Sequence, residues 1–335
     1  MRLLKKLTGC ASMELKEAKS ACEKIVVQIC GTYVGDELLV QKMLAAALAN
    51  AHVLFEDNPG LGKTLLAKTL AFSLDCSFSR VQCTPDLLPA DILGTKIWRP
   101  KNGSFELLKG PVFTNVLLID EINRSPPKTQ SAVLEVMEER QVTIEGETYR
   151  CEEPFFLLAT QNPIEYEGTY PLPEAQIDRF MFKLSTGYPR NLDEEKLIVK
   201  RRITWKKDDP TKDLKPVISA EEFRDVQKVV ENGIYIDEVV INYIAEIVRK
   251  TREHPQVDVG SSPRGSLALL KSSRAMALLQ GRDFVTPDDI KALAVDALAH
   301  RLILNVEDVM RRVEERKIIR DIIDTVSVPK DYRPR

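Results

Sequence analysis

Five short runs rich in apolar residues and bounded by turn residues punctuate the chain: "AHVLFED" (51–57), "FSRVQC" (78–83), "NVLLIDE" (115–121), "PFFLLATQN" (154–162) and "FMFKLSTGY" (180–188). A strand with one wet face alternates; a strand covered on both faces does not. Segments of helical spacing at 64–74 and 125–139 lie between some of these runs. The pattern predicts an α/β core built on a mostly parallel, five-stranded sheet.

Two segments break the alternation of strand and helix. "QVTIEGETYR" (141–150) alternates on either side of Glu145-Gly146 and reads as a hairpin before the fourth strand. Residues 84–113 are too long for a simple connection and read as an insertion. Helical spacing at 13–30 and 36–50, with Leu38, Leu39, Met43, Leu44 and Leu48 on one side, forms a preface to the sheet. After Gly187-Tyr188-Pro189 the pattern is helical almost to the end, and Thr286-Pro287-Asp288-Asp289 is a helix start. The expected division is therefore a domain at 1–190 and a helical domain at 191–335.

Charge excludes some partners. The 335 residues carry 48 Lys plus Arg against 50 Asp plus Glu, and residues 191–335 carry 27 against 26. No broad basic field draws either part onto nucleic acid or an anionic membrane. The longest uncharged stretch near a helix, "MLAAALANAHVLF" (43–55), is well short of the roughly 20 residues a bilayer span needs. "LTGC" (7–10) has the outline of a lipoprotein cleavage site, but Lys5 and Lys6 interrupt the apolar run that such a site requires. The six cysteines, at 10, 22, 30, 76, 83 and 151, form no C-x-x-C pair, and reduced cytoplasmic thiols are expected.

The chemistry starts at "FEDNPGLGKTLLAK" (55–68), which approximates the phosphate-binding pattern G-x-x-x-x-G-K-[ST] with Asp57 in place of the opening glycine. A strand, a tight turn and a helix starting near Lys63 would point backbone N–H groups and the positive helix end at one spot. Gly60 and Gly62 let the backbone approach a ligand, Lys63 brings a charge to the outer phosphates, and Thr64 offers a hydroxyl to magnesium. The expected ligand shell is Asn58, Pro59, Gly60, Leu61, Gly62, Lys63, Thr64 and Leu65. Asp57 tolerates left-handed backbone better than most residues, and its carboxylate should face away from the phosphates.

"VLLIDE" places Asp120 and Glu121 at the C-terminal end of a buried strand, the edge where ligands of such sheets bind. Asp120 then reaches the metal's water shell, and Glu121 orients and deprotonates an attacking water. Asn162 either positions that water or simply turns the chain before Pro163. Arg264, just inside a helix start, opposes the macrodipole and so suggests an anionic partner; an exposed, inert arginine is the alternative. Arg179 either bridges locally to Asp178 or Glu174, or reaches a neighbouring subunit's nucleotide as an arginine finger.

Beyond these residues, four blocks closely resemble the MoxR family of AAA+ ATPases: "NPGLGKTLLAKTLA", "LLIDEINRSPPKTQSAVLEVMEERQVTIEG", "LLATQNPIEYEGTYPLPEAQIDRF" and "SPRGSLALLKSSRAMALLQGRDFVTPDDI". The resemblance runs from about residue 15 to the C-terminus. It implies a Walker A loop at Gly60, Gly62, Lys63 and Thr64, a Walker B pair at Asp120 and Glu121, sensor 1 at Asn162, the finger at Arg179 and sensor 2 at Arg264. It makes 84–113 the helix-2 insert, 141–150 the hairpin before sensor 1, and the C-terminal part an all-helical lid. Acidic residues at the position of Asp57 are familiar in this family. Arg124 in "INRSPP" matches a family arginine that contacts either the next subunit or its own.

The resemblance further implies ATP and Mg2+ as cofactors, a homo-hexameric ring, a partner with a von Willebrand factor A domain, and chaperone-like remodelling of a client protein. Two alternatives come from other classes: a nucleotide-gated assembly scaffold with incidental hydrolysis, against which the full set of base, sensor and finger speaks, and a DNA-dependent AAA+ motor, against which the near-neutral charge speaks.

Overall fold

The computed structural model describes residues 13–101, 103–163, 169–207, 209–329 and 331. Cys10 and the "LTGC" stretch lie outside them, as do residues 164–168 within the block that ends at Arg179.

The chain begins with two helices, α1 (Leu15–Thr32) and α2 (Glu37–Leu48), the second capped by Asp36, which accepts from Leu38 N at 3.1 Å. Then come β1 (Val53–Glu56), α3 (Lys63–Ser73) and β2 (Phe78–Gln82). The insertion is a short helix, α4 (Pro89–Leu93), and a hairpin of β3 (Gly94–Arg99) and β4 (Ser104–Lys109). β5 (Val116–Asp120) and α5 (Pro127–Glu139) precede the expected hairpin, β6 (Gln141–Ile144) and β7 (Glu147–Arg150). β8 (Phe156–Gln161), α6 (Glu174–Ile177) and β9 (Phe182–Leu184) complete the first part.

The remainder holds α7 (Leu192–Trp205), α8 (Ala220–Gly233), α9 (Glu238–Glu253), β10 (Val257–Val259), α10 (Pro263–Leu279), α11 (Pro287–Leu298), β11 (Ile303–Leu304), α12 (Val306–Met310) and α13 (Glu315–Thr325). α11 starts at the predicted cap, where Thr286 and Asp289 exchange the two bonds of a capping box. The helical part is not purely helical, because β10 and β11 pair antiparallel.

The central sheet runs β2-β5-β8-β1-β9, and every pairing in it is parallel. Both faces are covered, which is why the three inner strands read as unbroken apolar runs. On one face Leu54, Leu117, Ile119, Leu157 and Ala159 pack against α5 and the insertion. On the other, Val53, Phe55, Leu118 and Leu158 join a core that continues without a break through α1, α2 and α3 into α8–α11 and α13. The N-terminal helices thus serve as the joint between sheet and helical part. Leu38, expected on the buried side of α2, is instead partly exposed.

Parallel pairing fixes which ends of the strands meet. The turn after β1 and the ends of β5 and β8 gather at the C-terminal edge. The chain entering β9 lies at the N-terminal edge, since Val53 pairs with Phe182 and Phe55 with Leu184.

Candidate functional site

At the C-terminal edge, Gly60 and Gly62 adopt φ of 85° and 82°, a left-handed turn that side chains rarely adopt. The turn delivers the chain to α3, whose N-cap is Gly62 and which therefore has no side chain to satisfy its first-turn N–H groups. An eleven-residue helix so opened presents free donors and a partial positive charge. A cavity of about 310 Å³ lies in front of it, lined by Gly60, Gly62, Lys63, Thr64, Asp120, Glu121 and Asn162 among others. Seven residues assigned from separate parts of the sequence therefore meet around one space.

Lys63 is 8% exposed, and its ammonium donates to the carbonyl oxygens of Asn58 at 2.8 Å and Asp57 at 3.3 Å. Burial lowers its pKa from the ordinary value, and Asp57, Asp120 and Glu121 pull it back up. Asp57 itself lines the cavity, and its backbone is not left-handed. Its carboxylate is what matters: it accepts from Ser185 Oγ at 2.6 Å, Thr186 N at 2.7 Å, Thr186 Oγ1 at 2.9 Å and Gly187 N at 3.4 Å. An opening glycine could not tie the loop to the end of β9 in this way.

Asp120 and Glu121 diverge at the end of β5. Asp120 Oδ1 accepts from Thr160 Oγ1 at 2.6 Å, while Oδ2 accepts from Arg80 Nη2 at 2.7 Å and Nε at 3.2 Å. Glu121 sits in left-handed backbone, φ 56°, and its N–H donates to Thr160 Oγ1 at 2.8 Å. Its Oε2 accepts from Gln82 Nε2 and from Arg124 Nη1, each at 2.9 Å. Arg124 thus makes the local one of its two proposed contacts.

Other assigned residues stand elsewhere. Asn58 turns its side-chain amide to Tyr188 Oη at 3.1 Å. Leu65 lines a second cavity of about 400 Å³, which shares Pro59, Gly60, Leu61 and Gly62 with the first and is walled by Tyr33, Ile198 and Trp205. A polar chamber opening into an apolar one suits a ligand with a charged tail and a flat apolar head. Tyr33 is neutral there, its hydroxyl pushed up to about 12 by burial and by the nearby Asp57 charge.

Arg179 and Arg264 line neither cavity. Both pair with Glu138 at the end of α5, Arg179 at 2.5 Å and Arg264 through the other carboxylate oxygen. The local bridge expected for Arg179, to Asp178 or Glu174, is corrected to Glu138. Asp178 is already taken by Arg301 and by Ser262 Oγ at 3.1 Å, and it lies 3.6 Å from Arg264. The anion expected near Arg264 is supplied, within this chain, by Glu138 and Asp178. Three guanidinium groups share two carboxylates on this face.

Sequence reasoning missed Arg80, Gln82, Thr160 and the apolar chamber. Arg80 and Gln82 alternate on β2 and so share a face, which was the available signal for that pair. Thr160 and Tyr33 carried no local signal.

Comparisons with known proteins identify the fold family. Residues 52–182 match the family model described as "ATPase family associated with various cellular activities (AAA)", and residues 249–322 match an AAA lid domain. The chain is 39% identical to the chaperone MoxR1 of Mycobacterium tuberculosis over 92% of this chain and 82% of that one. It is 49% identical to the protein YeaC of Bacillus subtilis, covering 91% and 94% of the two chains. A crystal structure from Cytophaga hutchinsonii, described there as a candidate ATPase, superposes with a TM-score of 0.87 at 40% identity, over 94% of this chain and 97% of that one. At 39% identity to a MoxR chaperone over 92% of its length, and with matches to both an AAA ATPase and an AAA lid model, the chain belongs to the MoxR family of AAA+ ATPases.

Proposed function

We propose that the protein is a magnesium-dependent ATP hydrolase that is complete only as an oligomer, most simply a homo-hexameric ring, and that it spends turnover on remodelling or maturing a client protein. The observation that carries this reading is the separation of the two halves of the site. The loop follows β1, whereas Arg179 precedes β9, and β1 and β9 run parallel. Four residues of strand at about 3.3 Å each set the two edges roughly 13 Å apart before any loop is added. Within one chain Arg179 cannot face the loop; in a head-to-tail ring it faces the loop of the next subunit.

The residues present fit a Mg–ATP ligand. The uncapped end of α3 and Lys63 receive the phosphates, and the apolar chamber receives the base. Among the described residues no cluster of three or more His, Cys, Asp or Glu side chains could cage a metal by itself. Thr64 and Asp120, completed by phosphate oxygens and water, are the donor set that a magnesium ion takes. When bound, the ion neutralises charge on the phosphates. Glu121 accepts the proton of the attacking water, with Gln82 and Arg124 fixing its carboxylate, and Asn162 orients that water. Arg179 and Arg264, released from Glu138, supply positive charge across the subunit boundary. Movement of residues 191–335 against the sheet would transmit the event. The likeness to a relative named a chaperone supports a protein client, and a partner with a von Willebrand factor A domain is proposed on family likeness alone.

Mixing two inert variants tests the shared site. Lys63→Ala destroys the receiving half and Arg179→Ala the donating half, so a mixed ring contains intact pairs at about one interface in four. Recovery of turnover on mixing is expected. If the mixture stays as inert as its components, while each variant still assembles with wild type, the shared site is refuted.

A further inference from the structure

Asp120 is held on both oxygens. Thr160 occupies Oδ1, and Arg80 places two donors on Oδ2. Arg80 comes from β2, the edge strand of the sheet, and its guanidinium is 45% exposed against 15% for the Asp120 carboxylate. The same Nη2 also donates to Gln82 Oε1 at 2.8 Å, which steadies the guanidinium over Asp120. Arg80, Asp120, Lys63 and Thr64 line a single cavity.

A guanidinium donating twice to one carboxylate oxygen is a charge-assisted contact that a divalent ion must replace, because both need the same lone pairs and the two cations repel. With Oδ1 committed to Thr160, Oδ2 is the contested atom. We propose that Arg80 is an internal counter-cation at the metal position, so that a divalent ion reaches Asp120 only by displacing it. The proposal rests on Asp120 being the metal-side carboxylate. Its consequence is that loading of the ion is opposed for as long as the guanidinium holds Oδ2.

The test is a titration of the full chain with a fluorescent ADP analogue, in EDTA and at rising Mg2+. Arg80→Gln should lower the Mg2+ concentration at half-effect by about 3- to 10-fold, the range expected for removing one partly exposed competing charge. Arg80→Lys, which keeps the charge but loses the fork, should fall between. An unchanged or raised Mg2+ midpoint in Arg80→Gln overturns the proposal. So does an unchanged midpoint with weaker ADP binding in EDTA, which would make Arg80 a phosphate ligand. Asp120→Asn is the separate control. If it leaves the wild-type Mg2+ midpoint in place, the metal assignment itself is wrong, whatever Arg80 does.

Discussion

The two edges of the central sheet are built to opposite ends. The C-terminal edge is open: a left-handed glycine turn, an uncapped helix and diverging carboxylates surround a cavity of about 310 Å³. The N-terminal edge is closed. There His52 is buried between β8 and α5, with Nδ1 accepting from Leu157 N at 3.0 Å and Nε2 bonded to Met137 O at 2.9 Å. His300 bonds Phe180 O at 3.1 Å, and Arg301, 8% exposed, binds Phe180 O and Asp178. The closed edge is densely bonded, and it carries Arg179 and Arg264 at its surface. On the proposed reading, a finger is held by a well-bonded support, while a loop that is to receive phosphate leaves its donors uncovered.

That contrast predicts unequal consequences when each edge is altered. Arg179→Ala should reduce steady-state ATP turnover of the assembled protein by about 10³-fold or more while leaving nucleotide affinity of the isolated chain intact. A comparable loss of affinity would move Arg179 to the receiving edge and break the contrast. Glu121→Gln should lower turnover by about 10²-fold and retain bound nucleotide, as read from single-turnover assays. A variant with wild-type turnover would remove Glu121 from the chemistry.

The remaining predictions concern stability. Asp57→Ala strips the acceptor from Ser185 and Thr186, and it should cost about 2–3 kcal/mol in denaturant melts. An unaffected midpoint would mean that the staple between loop and β9 is dispensable. The closed edge should show the pH dependence. Burial lowers His52 to about 3, and it also lowers His300. A base depressed in the folded state binds more protons when unfolded, so its contribution is present above the unfolded value near 6.5 and is lost as pH falls from there toward the folded value. Between pH 7 and pH 5 His52 alone should remove about 2 kcal/mol. His52→Gln should flatten that slope, and a slope identical to wild type would place the pH sensitivity elsewhere.

No described helix is long and apolar enough to cross a membrane, which agrees with the absence of a long uncharged stretch in the sequence. The five described cysteines are free thiols, and burial pushes Cys22 up to about 12, far from reactive.

Sequence by itself determined the parts whose physics is local. Unbroken apolar runs required strands covered on both faces. Gly60, Gly62, Lys63 and Thr64 form a left-handed turn into a helix start within five residues, and Asp120-Glu121 mark a strand end. The Thr286–Asp289 cap needs only its own backbone. What the tertiary structure decided is everything that depends on which strands are neighbours. Arg80 and Gln82 act on Asp120 and Glu121 because β2 lies beside β5, and Thr160 acts because β8 lies on the other side. Glu138 holds Arg179 because α5 returns to the edge from which β9 starts. Sequence distance carries no information about such contacts, since residues 40 positions apart become partners only when the sheet's order and parallel sense put them there.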